Sequence, residues 1–360
     1  MMGVRALLLR SSTGKGVGMR SRRGFLIGGG VAAAAAVVGG GAAVRWASRS
    51  PEERLADLVP EGPEVSVVAA DGDPLVAVGM DTARDVCSVT KQFTAAGVMR
   101  LEMDGELSVE DPVDAFLPGA PEGVTLHRLL THTGGLPDAL GDDYEPLGRE
   151  EFVAAAAAAE PVRGYLYSNV GYGLLAAVIE VVAGSYEGFL AETLFGPAGM
   201  TRTGYVLPEW DDAGVAVEYD AQGVSVGRPY ERPWADDGPY WNLRGNGGML
   251  STARDMLAWH RALDGGAVLS ERALERMFTP HVAEDTQGTS HYGYGWVILE
   301  AEGRTVAWHN GGNGAAYAEM LHVPGGPMAF WATGAVARDG EWDLEDADVA
   351  ARMGEILLRM

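Results

Sequence analysis

Ser88-Val89-Thr90-Lys91-Gln92-Phe93-Thr94-Ala95-Ala96 sets a hydroxyl and an amine three residues apart where a helical texture begins. On a helix that spacing puts both side chains on one face, one turn apart. Lys91 is the only lysine beyond residue 47, in a stretch that holds 19 arginines. Arginine keeps its proton at any reachable pH, whereas a buried lysine can lose one and act as a base. The first helical turn, with its unpaired N–H groups, also disfavours an added positive charge. Ser88 is therefore read as a nucleophile and Lys91 as its base. The spacing alone is weak, because Ser12-Thr13-Gly14-Lys15 matches it too.

Upstream, two short apolar runs at 64–70 and 75–80 flank Asp71-Gly72-Asp73-Pro74, a strand, turn and strand pattern. Downstream, residues 90–104 read as one amphipathic helix stopped by Gly105, and Asp111-Pro112 reads as the capped start of another. Further helices are expected at 149–159, 170–182, 186–194, 252–263 and 270–277, and a last one at 345–358. Strand texture returns at 292–299, 306–310, 316–322 and 328–333. Residues 207–244, rich in Pro, Gly, Asp and Trp, show no sustained period and read as a rim around a site. The expected fold class is α/β of the α+β kind: an antiparallel sheet built from both chain ends, flanked by helices, with an inserted, mostly helical region. A cleft is expected at the seam between sheet and helices.

The first 47 residues differ in kind, with seven basic side chains and no acidic one. Ser21-Arg22-Arg23-Gly24-Phe25-Leu26 before a Gly/Ala/Val run at 27–44 reads as a twin-arginine export signal. Two domains are assigned on this basis: 1–47 as export signal or N-terminal anchor, and 48–360 as the folded unit. The expected destination is extracellular or the cell envelope. Gly41-Ala42-Ala43 is a poor cleavage site, which leaves membrane tethering open, although a Gly/Ala run inserts weakly. Met19 is an alternative start, since residues 1–18 add nothing such a signal needs.

Net charge is -23 for the whole chain and about -30 without the basic leader, so nucleic acid is excluded as a partner. A small-molecule or peptide substrate is expected, and oligomeric state is left open. Cys87 is the sole cysteine, which excludes an internal disulfide, and it reads as a small packing residue beside Ser88. His127, His132, His260, His281, His291 and His322 show no metal spacing and are read as structural. No metal and no cofactor are expected. The glycines at 245–248 lack the lysine and helix of a phosphate loop and read as a turn at the pocket floor.

Two later motifs add chemistry. Tyr167-Ser168-Asn169 gives a phenol that can shuttle protons and an amide that can hold a substrate carbonyl or the lysine. Trp308-His309-Asn310-Gly311-Gly312 closes a strand, where glycine lets a substrate backbone pair along the edge.

In this order the three elements resemble the serine hydrolases of the β-lactamase and penicillin-recognising superfamily. The flanking segments Leu129-Leu130-Thr131-His132-Thr133-Gly134-Gly135-Leu136-Pro137, Gly247-Gly248-Met249-Leu250-Ser251-Thr252 and Tyr292-Gly293-Tyr294-Gly295-Trp296 are similar to that family's motifs, and the likeness spans about residues 60–358. It leans to the class C-like branch, with its D-alanyl-D-alanine carboxypeptidases, D-amino-acid peptidases, carboxylesterases and β-lactamases. The resemblance implies a β-lactamase/transpeptidase-like fold with Ser88 acylated and Lys91 and Tyr167 as proton relay. It implies Asn169, His309, Asn310 and Gly311 on the substrate, and the N–H groups of Ser88 and Gly312 as the oxyanion hole. Two residues depart from the pattern. Asn310 replaces a hydroxyl residue that helps hold the substrate carboxylate in antibiotic-recognising relatives, which turns the expectation from β-lactams towards esters and amides. Cys87 stands where glycine is more usual. The expected activity is that of an exported serine hydrolase; the alternatives are a class C-like β-lactamase and a slowly acylating penicillin-binding sensor without turnover.

Overall fold

The computed structural model describes residues 49–60, 65–286, 288–335, 337–338, 341–343 and 349–360. The expected export signal, and the residues just ahead of the last helix, lie outside them. Eight antiparallel strands form the main sheet: β1 (Val65–Asp71), β2 (Asp73–Val78), β3 (Val282–Ala283), β4 (His291–Tyr292), β5 (Val297–Ala301), β6 (Arg304–Gly312), β7 (Tyr317–His322) and β8 (Met328–Thr333). Their order is β2-β1-β8-β7-β6-β5-β4-β3, so the N-terminal hairpin docks on the C-terminal strand β8. The sheet is thus made from both ends of the chain, as expected. Helix α1 (Pro51–Ala56) precedes β1; between β2 and β3 run α2 (Thr90–Asp104), α3 (Leu126–Leu130), α4 (Arg149–Ala158), α5 (Asn169–Ala183), α6 (Tyr186–Leu190), α7 (Ala253–Asp264) and α8 (Glu271–Met277), and α9 (Val349–Leu357) follows β8.

Strand alternation assigns the two faces of the sheet. Trp308, Glu319, Leu321 and Trp331 face α9, where Glu319 accepts the N–H groups of Ala350 and Ala351 and Leu321 lies against Gly354. His309, Gly311 and His322 face the other way, towards α7 and the turn that leads into α2. Both sides are covered, and β1, β7 and β8 are buried nearly throughout.

Three expectations are corrected by these contacts. Helix α2 has the expected extent but is not amphipathic: every residue from Thr90 to Met99 is buried, because the helix is packed against α5, α6, α8 and the Ala191–Phe195 segment. Asp111-Pro112 opens only a single turn at Val113–Ala115. The Asp111 carboxyl accepts the upstream N–H of Ser108 (2.7 Å) and so caps no following helix. The expected strand 292–299 is two strands, β4 and β5, parted by a turn in which Gly293 N–H bonds Trp296 C=O (2.8 Å). Gly295 sits there at φ +76°, and a Cβ on it would meet Lys91 O at 2.7 Å. The strand breaks where the sheet meets the lysine-bearing helix.

Among the described residues no single helix is long and apolar enough to cross a membrane. The rim at 207–244 carries a short hairpin, Glu218–Tyr219 with Ser225–Gly227, and one 3-10 turn at Pro229–Glu231.

Candidate active site

Ser88 lies in a 3-10 turn, Cys87–Val89, that runs straight into α2, and Lys91 is the second residue of that helix. Lys91 is fully buried and its Nζ donates to three oxygens: Ser88 Oγ (3.1 Å), Asn169 Oδ1 (2.7 Å) and Asn246 O (2.6 Å). An ammonium has three N–H donors and no acceptor. Loss of one proton leaves two donors for the asparagine oxygens and turns a lone pair towards Ser88. The arrangement therefore suits a base that takes the serine proton.

Asn169 opens α5, and Ser168 caps that helix by accepting Gly171 N–H (3.1 Å). The Asn169 side chain is fixed at both ends, because its Nδ2 donates to Asp138 Oδ1 (3.1 Å) while its oxygen holds Lys91. Tyr167 presents its ring to Lys91, with Nζ 4.9 Å from the ring centroid. His132 lies against that ring, tilted by 41° with 4.4 Å between centroids, and its Nδ1 accepts Ser168 N–H (3.0 Å). His132 is structural, as read, but its task is to hold the Tyr-x-Asn segment in place.

Strand β6 forms the facing wall. A Cβ on Gly311 would meet Ser88 N at 2.1 Å and Cys87 Cβ at 2.8 Å, so only glycine lets the strand lie against the nucleophile. The ladder from β5 reaches only to Trp308, and β6 continues past it to Gly312 with β7 on its other side. That leaves the 309–312 edge in position for an extended substrate, as the glycine pattern suggests. His309 points to the Ser88 side and is buried, with Nε2 2.9 Å from Tyr292 OH. Asn310 is placed otherwise than expected. Its neighbour His309 faces Ser88, so alternation sends Asn310 to the α9 face, where its Nδ2 donates to Tyr317 OH (3.2 Å).

Several participants were not singled out from sequence. The Asn246 carbonyl, in the glycine turn at 245–248, is one, since a backbone oxygen leaves no trace in side-chain motifs. Asp138 is another; it follows the Leu-Pro of the Leu129 to Pro137 segment, the one signal that could have found it. Asp85 is a third, and its Oδ1 accepts Cys87 N–H (2.6 Å). Cys87 adopts φ +47°, a left-handed backbone that favours glycine, which accounts for the more usual glycine there. Burial, then the neighbouring Asp85, push its thiol well above the ordinary range, so it is unfit as a thiolate nucleophile.

Acidic groups ring the site. Asp143 is solvent-exposed; desolvation by the surrounding protein and the adjacent Asp142 raise its carboxyl to about 6, while Lys91 pulls it down. Burial raises Asp85, opposed by Cys87 N–H and Arg232. Arg232, from the rim, bonds both Glu218 and Tyr144 and so ties 207–244 to the 138–147 loop.

The sequence matches the Beta-lactamase family over residues 26–338, most of its length. The chain belongs to this family. Members of this family are serine hydrolases. Penicillin-binding protein 4* of Bacillus subtilis (strain 168) is 34% identical over 250 residues, 63% of this chain. The chain spans just over half of that relative, 55% of its length. Among solved structures, the octameric penicillin-binding protein homologue from Pyrococcus abyssi superposes with a TM-score of 0.67 at 27% identity, covering 85% of this chain and 75% of that one. A D-stereospecific amidohydrolase from Streptomyces sp. gives 0.66 at 25% identity, covering 83% and 96%.

Proposed function

We propose that this Beta-lactamase family protein is an exported serine hydrolase that cleaves an ester or amide, of the carboxylesterase or D-amino-acid peptidase type, through an acyl-enzyme. The observation that carries the reading is the buried Lys91 Nζ held between Ser88 Oγ and Asn169 Oδ1. Lys91, assisted by Tyr167, takes the Ser88 proton as Oγ bonds to the substrate carbonyl carbon. The resulting oxyanion is held by the N–H groups of Ser88 and Gly312. Collapse breaks the bond to the leaving group, which receives its proton through Tyr167. Water then adds to the acyl-enzyme by the reverse relay, releasing the acid and returning the proton to Ser88. Export is proposed from the twin-arginine pattern, with a membrane tether if the leader is retained. The similarity to a D-stereospecific amidohydrolase supports an amide substrate, and Asn310 directed away from Ser88 supports a substrate not held as in antibiotic-recognising relatives.

A panel of short-chain aryl esters, D-alanyl-D-alanine peptides and a chromogenic cephalosporin, read beside intact-mass detection of the adduct, tests this. Steady ester or amide turnover, lost in Ser88→Ala, is expected; an adduct on another residue refutes the mechanism. A second reading, a penicillin-binding sensor, draws on the name of the Bacillus relative. It predicts one stoichiometric burst with the cephalosporin and no steady release.

A further inference from the structure

We propose that Asp85 and Asn313 form a bridge that fixes the two halves of the oxyanion hole against each other, Asp85 being a positioning residue behind the nucleophile; this rests on the acyl-enzyme reading. Asp85 precedes Ser88 by three residues, and Asn313 follows Gly312. One Asp85 oxygen accepts Cys87 N–H (2.6 Å) and the other accepts Asn313 Nδ2–H (3.1 Å). A single carboxyl therefore grips both chain segments one residue away from the two amides that would face the substrate oxygen.

The orientation of the bridge is determined. Asn313 Oδ1 accepts the N–H groups of Ala315 and Ala316 (2.8 Å each), which fixes its oxygen inward and presents its NH2 to Asp85. Cys87 also offers an N–H, so residue 85 meets a donor at each oxygen. A carboxylate satisfies both; an asparagine would set NH2 against NH2. The contacts around it work in the same direction. Asn313 N–H bonds Ala316 O (2.9 Å), the oxygen that also faces Cys87 Sγ (3.7 Å), and the Gly311 backbone lies against Ser88 N. The strained Cys87 backbone and the turn after β6 are thereby held as one unit.

A charge swap tests the bridge. Asp85→Asn places a donor against the Asn313 amide and is expected to lower the acylation rate about 100-fold with KM changed less than about threefold, the size seen when one oxyanion donor is displaced. Adding Asn313→Asp restores every hydrogen bond with the amide and acid exchanged. The amide at position 85 would then accept from Cys87 and donate to the carboxylate at position 313, which still accepts from Ala315 and Ala316. The double variant is expected to recover acylation to within about fivefold of wild type. Undiminished acylation in Asp85→Asn overturns the proposal. So does a double variant that recovers neither acylation nor, where Asp85→Asn fails to fold, a cooperative unfolding transition. Wild-type protein that is never acylated at Ser88 overturns the parent reading and the bridge together; wild type and Asp85→Asn acylating alike overturn the bridge alone.

Discussion

Two ionisable side chains are buried on opposite faces of the sheet, and N–H groups and oxygens of the protein meet them in mirror-image fashion. Lys91, fully buried, gives its three N–H groups to three oxygens. Glu319, fully buried on the α9 face, takes four N–H groups: Trp308 Nε1 (2.8 Å), Trp331 Nε1 (2.7 Å), Ala350 N (3.0 Å) and Ala351 N (3.3 Å). In both cases protein dipoles replace water around a group that burial alone would penalise heavily. The difference lies in the partners. Glu319 bonds two indoles and the first turn of α9, groups that do not react, so it pins that helix to the sheet. One partner of Lys91 is a hydroxyl beside a glycine strand, so the same kind of solvation becomes a proton-transfer device. Burial of a charge does not mark a site; the chemistry of its neighbours does.

If that contrast holds, the largest effect should come from Lys91→Arg. Charge is kept and the base is lost, so kcat/KM should fall about 10³-fold or more while the unfolding midpoint shifts little. Steady-state kinetics beside a thermal melt measure both, and retained activity breaks the comparison at its catalytic end. Next in size is Gly311→Ala, whose Cβ cannot coexist with Ser88 N at 2.1 Å. Displacement of the strand should cost about 100-fold in acylation rate, read by stopped-flow ester burst kinetics.

At the structural end, Glu319→Gln turns an acceptor of four donors into a side chain that sets its own NH2 against some of them. Denaturant titration should show a loss of about 2–4 kcal/mol, with kcat/KM of the folded protein within about twofold of wild type. Activity lost in step with Lys91→Arg would mean the two sides are coupled. The smallest effect concerns His260 and His322, whose Nδ1 atoms lie 2.7 Å apart beside Asp264. Burial lowers the pKa of both imidazoles; the second influence is the neighbouring His260 for His322, and Asp264, opposing, for His260. A base with a lowered folded pKa leaves the native state with fewer protons than the unfolded one below about pH 6.5. Stability should be full above that pH and fall as pH drops, by at most about 1.4 kcal/mol per pH unit for each proton. Denaturation midpoints from pH 7.5 to 5 should show this slope, and His322→Gln should flatten it; an unchanged slope in the variant sinks the assignment.

Local pattern was enough for much of the fold. Strand runs at both chain ends and helices between them sufficed for the sheet built from two termini, and Gly105 ends α2 where expected. Pattern failed where a side chain serves a distant partner. Asp111 turns back to Ser108, Gly295 accommodates Lys91, and polar Thr90, Gln92 and Thr94 are buried in a helix whose alternation suggested an exposed face.

The sequence by itself determined the chemistry available: one lysine one turn after a serine, a Tyr-x-Asn segment and a glycine-rich strand end, in an order that points to serine hydrolysis. Tertiary structure alone decided which of those groups meet. It sent His309 and Asn310 to opposite faces, brought the Asn246 carbonyl to Lys91, and linked Asp85 to Asn313 across 228 residues of chain. The physical reason is that residue type and short spacing fix what a side chain can donate or accept, while long-range packing fixes what stands opposite it.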